Sequence, residues 1–321
     1  MKQLYPEIAP LHTYQLGAGD NHKIYVEECG NPAGIPVVFL HGGPGAGCNE
    51  NHRRYFNPDK YRIVIFDQRG TARSAAVDWV EENTTQHLLA DMENIRQFLT
   101  IDKWLIFGGS WGATLGLLYA QTWPERVLGM ILRGTFLARR QDGGWFIHQV
   151  GRLLPQYWKQ FTGLIPRLER DDMISAYHRR VHGDDINARN AAVRAWYNWS
   201  GRVVTYQLPE ITMLGETNMD RMVQEVAIET HYAKHKYFIE ENQILRNINR
   251  LPQVPIRIIH GRRDITCTLD ASWALSQALP QAELTCVNNG GHLASEPVMI
   301  DALITATDAM AEQLTAEAEH G

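Results

Sequence analysis

Compact apolar runs recur along the chain, separated by stretches in which apolar residues return every three or four positions. Residues 22–29 alternate polar and apolar side chains like a half-exposed strand, and residues 36–40 (Pro-Val-Val-Phe-Leu) form a short apolar run between glycines. The runs at 62–66, 104–107, 127–132 and 254–259 have the same character, that of strands buried on both faces. Between them Leu88, Leu89, Met92, Ile95 and Phe98 recur at helical spacing, and residues 114–120 present a second apolar helical face. Such alternation implies a mostly parallel sheet with helices on both faces, because parallel neighbours need crossover connections. Functional residues are then expected at the carboxyl ends of the strands.

The alternation stops between about 138 and 249. Trp145, Trp158, Trp196, Trp199 and several tyrosines lie there in helix-like segments without strand runs. The pattern predicts a helical cap over 138–249, inserted into an α/β core domain formed by 1–137 and 250–321. After the cap it predicts a strand, a helix over 269–279, a strand over 282–287, a helix from about 297 and a frayed tail over 315–321.

Composition and charge act mainly by exclusion. A chain of 321 residues has room for one large α/β domain and an insertion. With 31 basic against 36 acidic residues and a net charge of -5, it has no basic stripe to neutralise phosphates, which argues against nucleic acid. Neither a signal-like run nor a membrane-spanning run is present, so a cytoplasmic protein with no membrane partner is expected. Cys29, Cys48, Cys267 and Cys286 show no Cys-x-x-Cys pairing, and free thiols are expected rather than a disulfide framework. No metal site is expected either: His231 and His235 are four apart but lack the glutamate of a zinc-protease helix.

The candidate chemistry lies in four loops. Gly108-Gly109-Ser110-Trp111-Gly112 follows one apolar run and precedes a helical face, the setting in which Gly-x-Ser-x-Gly lifts a serine clear of a sheet. His41-Gly42-Gly43-Pro44-Gly45 follows an earlier strand, and the amides of Gly43 and Trp111 are the candidate oxyanion donors. A serine hydroxyl needs a base and an orienting acid, expected in the order Ser, acid, His. Asp264 in His260-Gly-Arg-Arg-Asp264 and His292 in Asn288-Asn-Gly-Gly-His292 satisfy that order just past strands. Asp67, at the end of another strand, precedes the serine and is read as a brace together with Arg69.

HGGPG (41–45), DQRG (67–70), GGSWG (108–112), YAQTWPERV (119–127), LRGTF (132–136), HGRRD (260–264) and GGH (290–292) together resemble the prolyl aminopeptidase (proline iminopeptidase) family of the α/β-hydrolase fold. The resemblance implies a cofactor-free serine exopeptidase that releases an N-terminal proline through an acyl-enzyme, its partner a small peptide or amino-acid amide. It also implies that Glu229, in Ile228-Glu-Thr-His-Tyr232, binds the substrate amine and that Phe136, Phe146 and Cys267 line the proline pocket. A second family glutamate follows a Trp-x-x-Trp pair, and here Trp196-Tyr-Asn-Trp199 is followed by Ser200. Glu210, Glu216 and Glu225 are other cap carboxylates able to replace it. Ala233 and Thr266 also depart from the family's usual phenylalanine and alanine. The Ser200 and Ala233 departures permit an amidase or esterase of the same fold whose substrate lacks a free amine, and a binding or scaffold protein that keeps the fold without catalysis is a separate alternative.

Overall fold

Each expected apolar run becomes a strand, because β-branched and aromatic residues in short blocks between turn residues fit a pleated, buried surface. The computed structural model describes residues 1–206, 208 and 218–320. Strand β1 (His12–Ala18) leads to β2 (His22–Gly30), and β3 (Ile35–Leu40), β4 (Tyr61–Phe66) and the short β5 (Ala75–Ala76) follow. Helix α1 (Thr85–Phe98), strand β6 (Trp104–Gly109), helix α2 (Trp111–Thr122) and strand β7 (Val127–Arg133) complete the first part of the core. The next helices are α3 (Arg140–Gly144), α4 (Pro155–Gly163), α5 (Met173–Val181), α6 (Ile186–Val204), α7 (Met219–Lys234) and α8 (Gln243–Arg246). Strand β8 (Ile256–Gly261), helix α9 (Leu269–Ala278), strand β9 (Ala282–Val287) and helix α10 (Pro297–His320) close the chain.

The sheet runs β1-β2-β4-β3-β6-β7-β8-β9, with β5 beside β2. Pairing is antiparallel around β2 and parallel from β4 through β9. Period-two alternation divides β3 between the two faces: Val38 and Leu40 pack with α1 and α2, while Val37 and Phe39 pack with α10. All six residues of β6 are buried, so the strand preceding Ser110 is fixed from both sides.

Three expectations change. Strand β1 was not foreseen; it is an edge strand in which only Ala18 is buried, so its apolar signal is weak. Phe98 falls off the buried face of α1, is 52% exposed and meets the edge of Tyr14 instead. The expected frayed tail is helical, since α10 continues to His320 behind a buried stripe that includes Met299, Leu303 and Met310.

Among the described residues, the segment between β7 and β8 contains no strand. Its interior is aromatic: Phe161 stacks on Tyr177 at 4.6 Å and on Trp199 at 5.2 Å, and Trp196 meets the Tyr177 edge at 5.4 Å. Burying large rings lets short helices of modest propensity hold one another in place.

Candidate active site

Ser110 stands between β6 and α2 with a left-handed φ of 56°. Its amide donates to Arg133 O at 2.9 Å, pinning the turn to the end of β7. The turn closes only with small neighbours: a Cβ on Gly108 would lie 2.3 Å from Gly112 O, and one on Gly112 2.1 Å from Leu40 O. The hydroxyl thus emerges at the carboxyl edge of the sheet, where a helix begins.

Asp264 and His292 approach from the loops after β8 and β9, with His292 Nδ1 2.7 Å from Asp264 Oδ2. The other carboxylate oxygen accepts from the Thr266 and Cys267 amides at 2.8 and 2.9 Å, so both oxygens are held. Burial by itself raises a carboxyl pKa; here the charge and hydrogen bond of the His292 imidazole outweigh it and hold Asp264 below the ordinary carboxylate range. An imidazole so anchored presents its remaining ring nitrogen outward, as a base requires. Ser110 Oγ rests on Cys267 Sγ at 3.8 Å, and among the described residues it makes no hydrogen bond to the imidazole.

The glycine-rich loop after β3 closes the third side. Gly42 abuts the elbow, its Cβ position lying 3.4 Å from Gly109 O and 3.5 Å from Ser110 Cβ. Gly43 has φ 110°, a conformation suited to glycine. Among the described residues the Gly43 and Trp111 amides meet no backbone acceptor, and Trp111 occupies the first turn of α2, where free N–H groups point outward. The buried Trp111 indole donates to Gln68 Oε1 at 2.9 Å, and Gln68 Nε2 donates to His41 O at 2.9 Å, which ties the elbow to the glycine loop. Asp67 is engaged elsewhere, accepting from the Cys48 amide and from Arg73 Nε at 2.7 Å each. Arg69 pairs with buried Asp91 at 2.6 Å, and both contacts fit a bracing role.

The cap supplies the roof. Glu229 Oε2 accepts from Trp196 Nε1 at 2.5 Å. Burial, then the charge of Glu225, pushes the Glu229 carboxyl up to about 8 against the counter-effect of that indole. Burial raises Glu225 to about 6. Phe136, half-buried just after β7, meets the edge of Tyr237 at 5.0 Å, and Tyr237 stacks on Trp111 at 5.6 Å. Phe146 lies farther into the cap, its ring 6.5 Å from Trp199. Cys267 is buried beside Ser110, and burial followed by the Asp264 charge holds its thiol well above the ordinary range. The structure therefore brings Ser110 and Cys267 together, Asp264 and His292 together, and Glu229 onto Trp196. Ala233 lies in the last turn of α7, and Thr266 donates its amide to Asp264. Glu210 and Glu216 lie outside the described residues.

Several supporting residues were not visible as such in the sequence. Arg133 Nη1 donates to His292 O at 2.5 Å, and Glu296 accepts from the amides on either side of His292, Gly291 at 2.8 Å and Leu293 at 3.2 Å. The histidine backbone is thus clamped from β7 and from the start of α10. Buried His260 donates through Nε2 to Cys267 O at 2.9 Å, and its Nδ1 lies 2.7 Å from Ser272 Oγ. Arg133 and His260 lie in the LRGTF and HGRRD motifs, whose residue types do not reveal these contacts, and Tyr237, in a left-handed turn after α7, left no signal. Among the described residues, no group of three His, Cys, Asp or Glu side chains could hold a metal, and no helix is long and apolar enough to cross a membrane.

Comparison with known proteins agrees with this fold. A family model described as alpha/beta hydrolase fold matches residues 35–297. A proline iminopeptidase of Xylella fastidiosa is 45% identical over 310 residues, 96% of this chain and 99% of the relative. A probable proline iminopeptidase of Leptolyngbya boryana is 44% identical, covering 98% of this chain and 99% of its own. A proline iminopeptidase of Arabidopsis thaliana is 40% identical over 96% of this chain and 82% of its own. Among solved structures, a hydrolase from Pseudomonas aeruginosa has a TM-score of 0.64 at 14% identity over 94% of this chain and 98% of that one. An esterase from Exiguobacterium antarcticum has a TM-score of 0.59 at 19% identity over 94% and 98%; at these identities the likeness concerns the fold.

Proposed function

The chain belongs to the proline iminopeptidase family of α/β-fold hydrolases, and we propose that it releases N-terminal proline from small peptides with Ser110 as nucleophile. His292 takes the Ser110 proton as the hydroxyl swings off Cys267 and attacks the first peptide carbonyl. Asp264 fixes the imidazole and balances its charge, while the Gly43 and Trp111 amides receive the developing oxyanion. His292 then returns the proton to the leaving amine, and water releases the acyl group by the same steps. Glu229 holds the cationic amine, and Phe136, Phe146 and Cys267 offer apolar surface to the proline ring.

One observation carries the exopeptidase reading: Glu229 lies half-buried in the roof of the site with an indole for a partner and no cation of this chain paired with it among the described residues. A buried carboxylate without a cation is costly, and a substrate ammonium removes that cost. The alternative of an amidase or esterase acting on a substrate without a free amine is not favoured, since relatives at 40–45% identity are proline iminopeptidases.

The test is a matched set of arylamides, prolyl, alanyl, leucyl and N-acetyl-prolyl, with a nitrophenyl ester as reference for the serine. Cleavage of the prolyl compound but not its acetylated form is the expected result. Cleavage of the ester alone refutes the aminopeptidase reading and leaves only a hydrolase.

A further inference from the structure

The substrate's ammonium is better met by two carboxylates than by one. An N-terminal proline carries a secondary ammonium with two N–H donors, both of which must find acceptors once water is excluded. The two bonds diverge tetrahedrally from one nitrogen, and Glu229 already accepts from the Trp196 indole through Oε2, so its carboxylate meets one donor in line and the other only at a bent angle. A second acceptor on the same wall of the site serves the other donor.

Helix α7 offers one. Glu225 precedes Glu229 by four residues, so the two side chains stand one turn apart on the same face. The helix backbone meets the glycine-rich loop at this point: a Cβ on Gly45 would lie 3.1 Å from Glu225 O, 3.4 Å from Glu225 Cα and 3.4 Å from Ile228 Cβ. Glu225 therefore sits where the cap touches the loop that carries the Gly43 amide. Among the described residues its carboxylate has no hydrogen-bond or ion-pair partner. The cation that acts on it is Arg221, a further turn back on the exposed part of α7.

We propose that Glu225 is the second carboxylate that meets the substrate amine, supplied from α7 in place of the one that Ser200 on α6 does not provide. The inference rests on the aminopeptidase reading and deepens it. Ser200 lies one turn beyond Trp196 on α6, on the face from which the indole reaches Glu229, so the two helices present alternative origins for the same negative charge. The groups facing the pair are few: the Trp196 indole from α6, Tyr237 from the turn after α7, Arg221 from α7 itself and the Gly45 backbone. Two carboxylates so placed share a proton while the site is empty, and the arriving ammonium drives that proton into solvent.

The experiment compares wild type, Glu225→Gln and the double variant Ser200→Glu/Glu225→Gln, each titrated for active sites with a fluorophosphonate. The measured quantity is the ratio of kcat/KM for prolyl arylamide to kcat/KM for a nitrophenyl ester, which has no amine to hold. Glu225→Gln is expected to lower this ratio by at least about tenfold, mainly through KM, and the added Ser200→Glu to recover part of the loss. A ratio within about twofold of wild type in Glu225→Gln overturns the assignment while leaving the aminopeptidase reading intact. A loss that Ser200→Glu does not recover also counts against it, because the two positions then do not serve one amine. Wild type that cleaves the ester but no prolyl arylamide overturns both.

Discussion

The sheet side and the cap side of this site are built by different means. On the sheet side, position is set by the backbone: Ser110 is pinned through its own amide to Arg133, Asp264 by two neighbouring amides, and His292 by Arg133 and Glu296 on its flanking peptide groups. On the cap side, position is set by side-chain packing, with Glu229 held by an indole that is itself wedged among Phe161 and Tyr177. The backbone bond that anchors Ser110 survives substitution of most side chains nearby, and the His292 clamp depends on two, those of Arg133 and Glu296, whereas a carboxylate placed by packed rings moves when any one ring changes. Under the proposed mechanism, bond breaking belongs to the sheet and choice of substrate to the cap.

The largest expected effect lies on the sheet side. Ser110→Ala should lower turnover of the prolyl arylamide and of the ester alike, by at least about 10⁴-fold, with an unchanged circular dichroism spectrum. Retention of ester turnover would move the nucleophile elsewhere and end the comparison. On the cap side Glu229→Gln should lower kcat/KM for the amide by on the order of 10²-fold relative to the ester. An equal loss on both substrates would mean that the cap acts on the chemistry and not on the choice.

The smallest effect is a pH dependence that sharpens the same division. The carboxyls of Glu225 and Glu229, raised by burial to about 6 and about 8, gain protons as pH falls through that window. A cation is bound by the ionised form, so KM for the prolyl arylamide should rise from pH 8 to pH 6 by roughly tenfold, while the ester shows no such rise. The linkage to folding has a definite sign. Since both groups are raised above their ordinary values, they favour the folded state at low pH and disfavour it as pH rises through 6 and 8. Ligand-free protein should therefore lose melting temperature across the pH range in which it gains amine affinity. A KM for the amide that stays flat from pH 8 to pH 6 would refute the shared proton.

How much of this was legible beforehand follows the same boundary. The elbow, the glycine loop and the loops holding Asp264 and His292 could be read because tight turns at strand ends demand particular residues at fixed spacing. Arg133 could not be read as a clamp: its partner, the carbonyl of His292, lies 159 residues away and has no sequence identity to betray it. The cap was legible as a change of period, but Glu225 was one acid among several until α7 was seen to set it one turn from Glu229 where the helix backbone meets Gly45. Strand β1 escaped because an edge strand with one buried residue leaves almost no apolar pattern.

Arg133 has one more implication. Its carbonyl receives the Ser110 amide and its guanidinium grips the His292 carbonyl, so the spacing between these two loops is referred to a single residue of a third strand. The cap helices begin seven residues later, at Arg140, and the chain returns to the sheet at Ile256. An entire lid can thus be lengthened, shortened or exchanged downstream of a fixed gauge, and lineages that share this scaffold are free to change what they cut without recalibrating how they cut it.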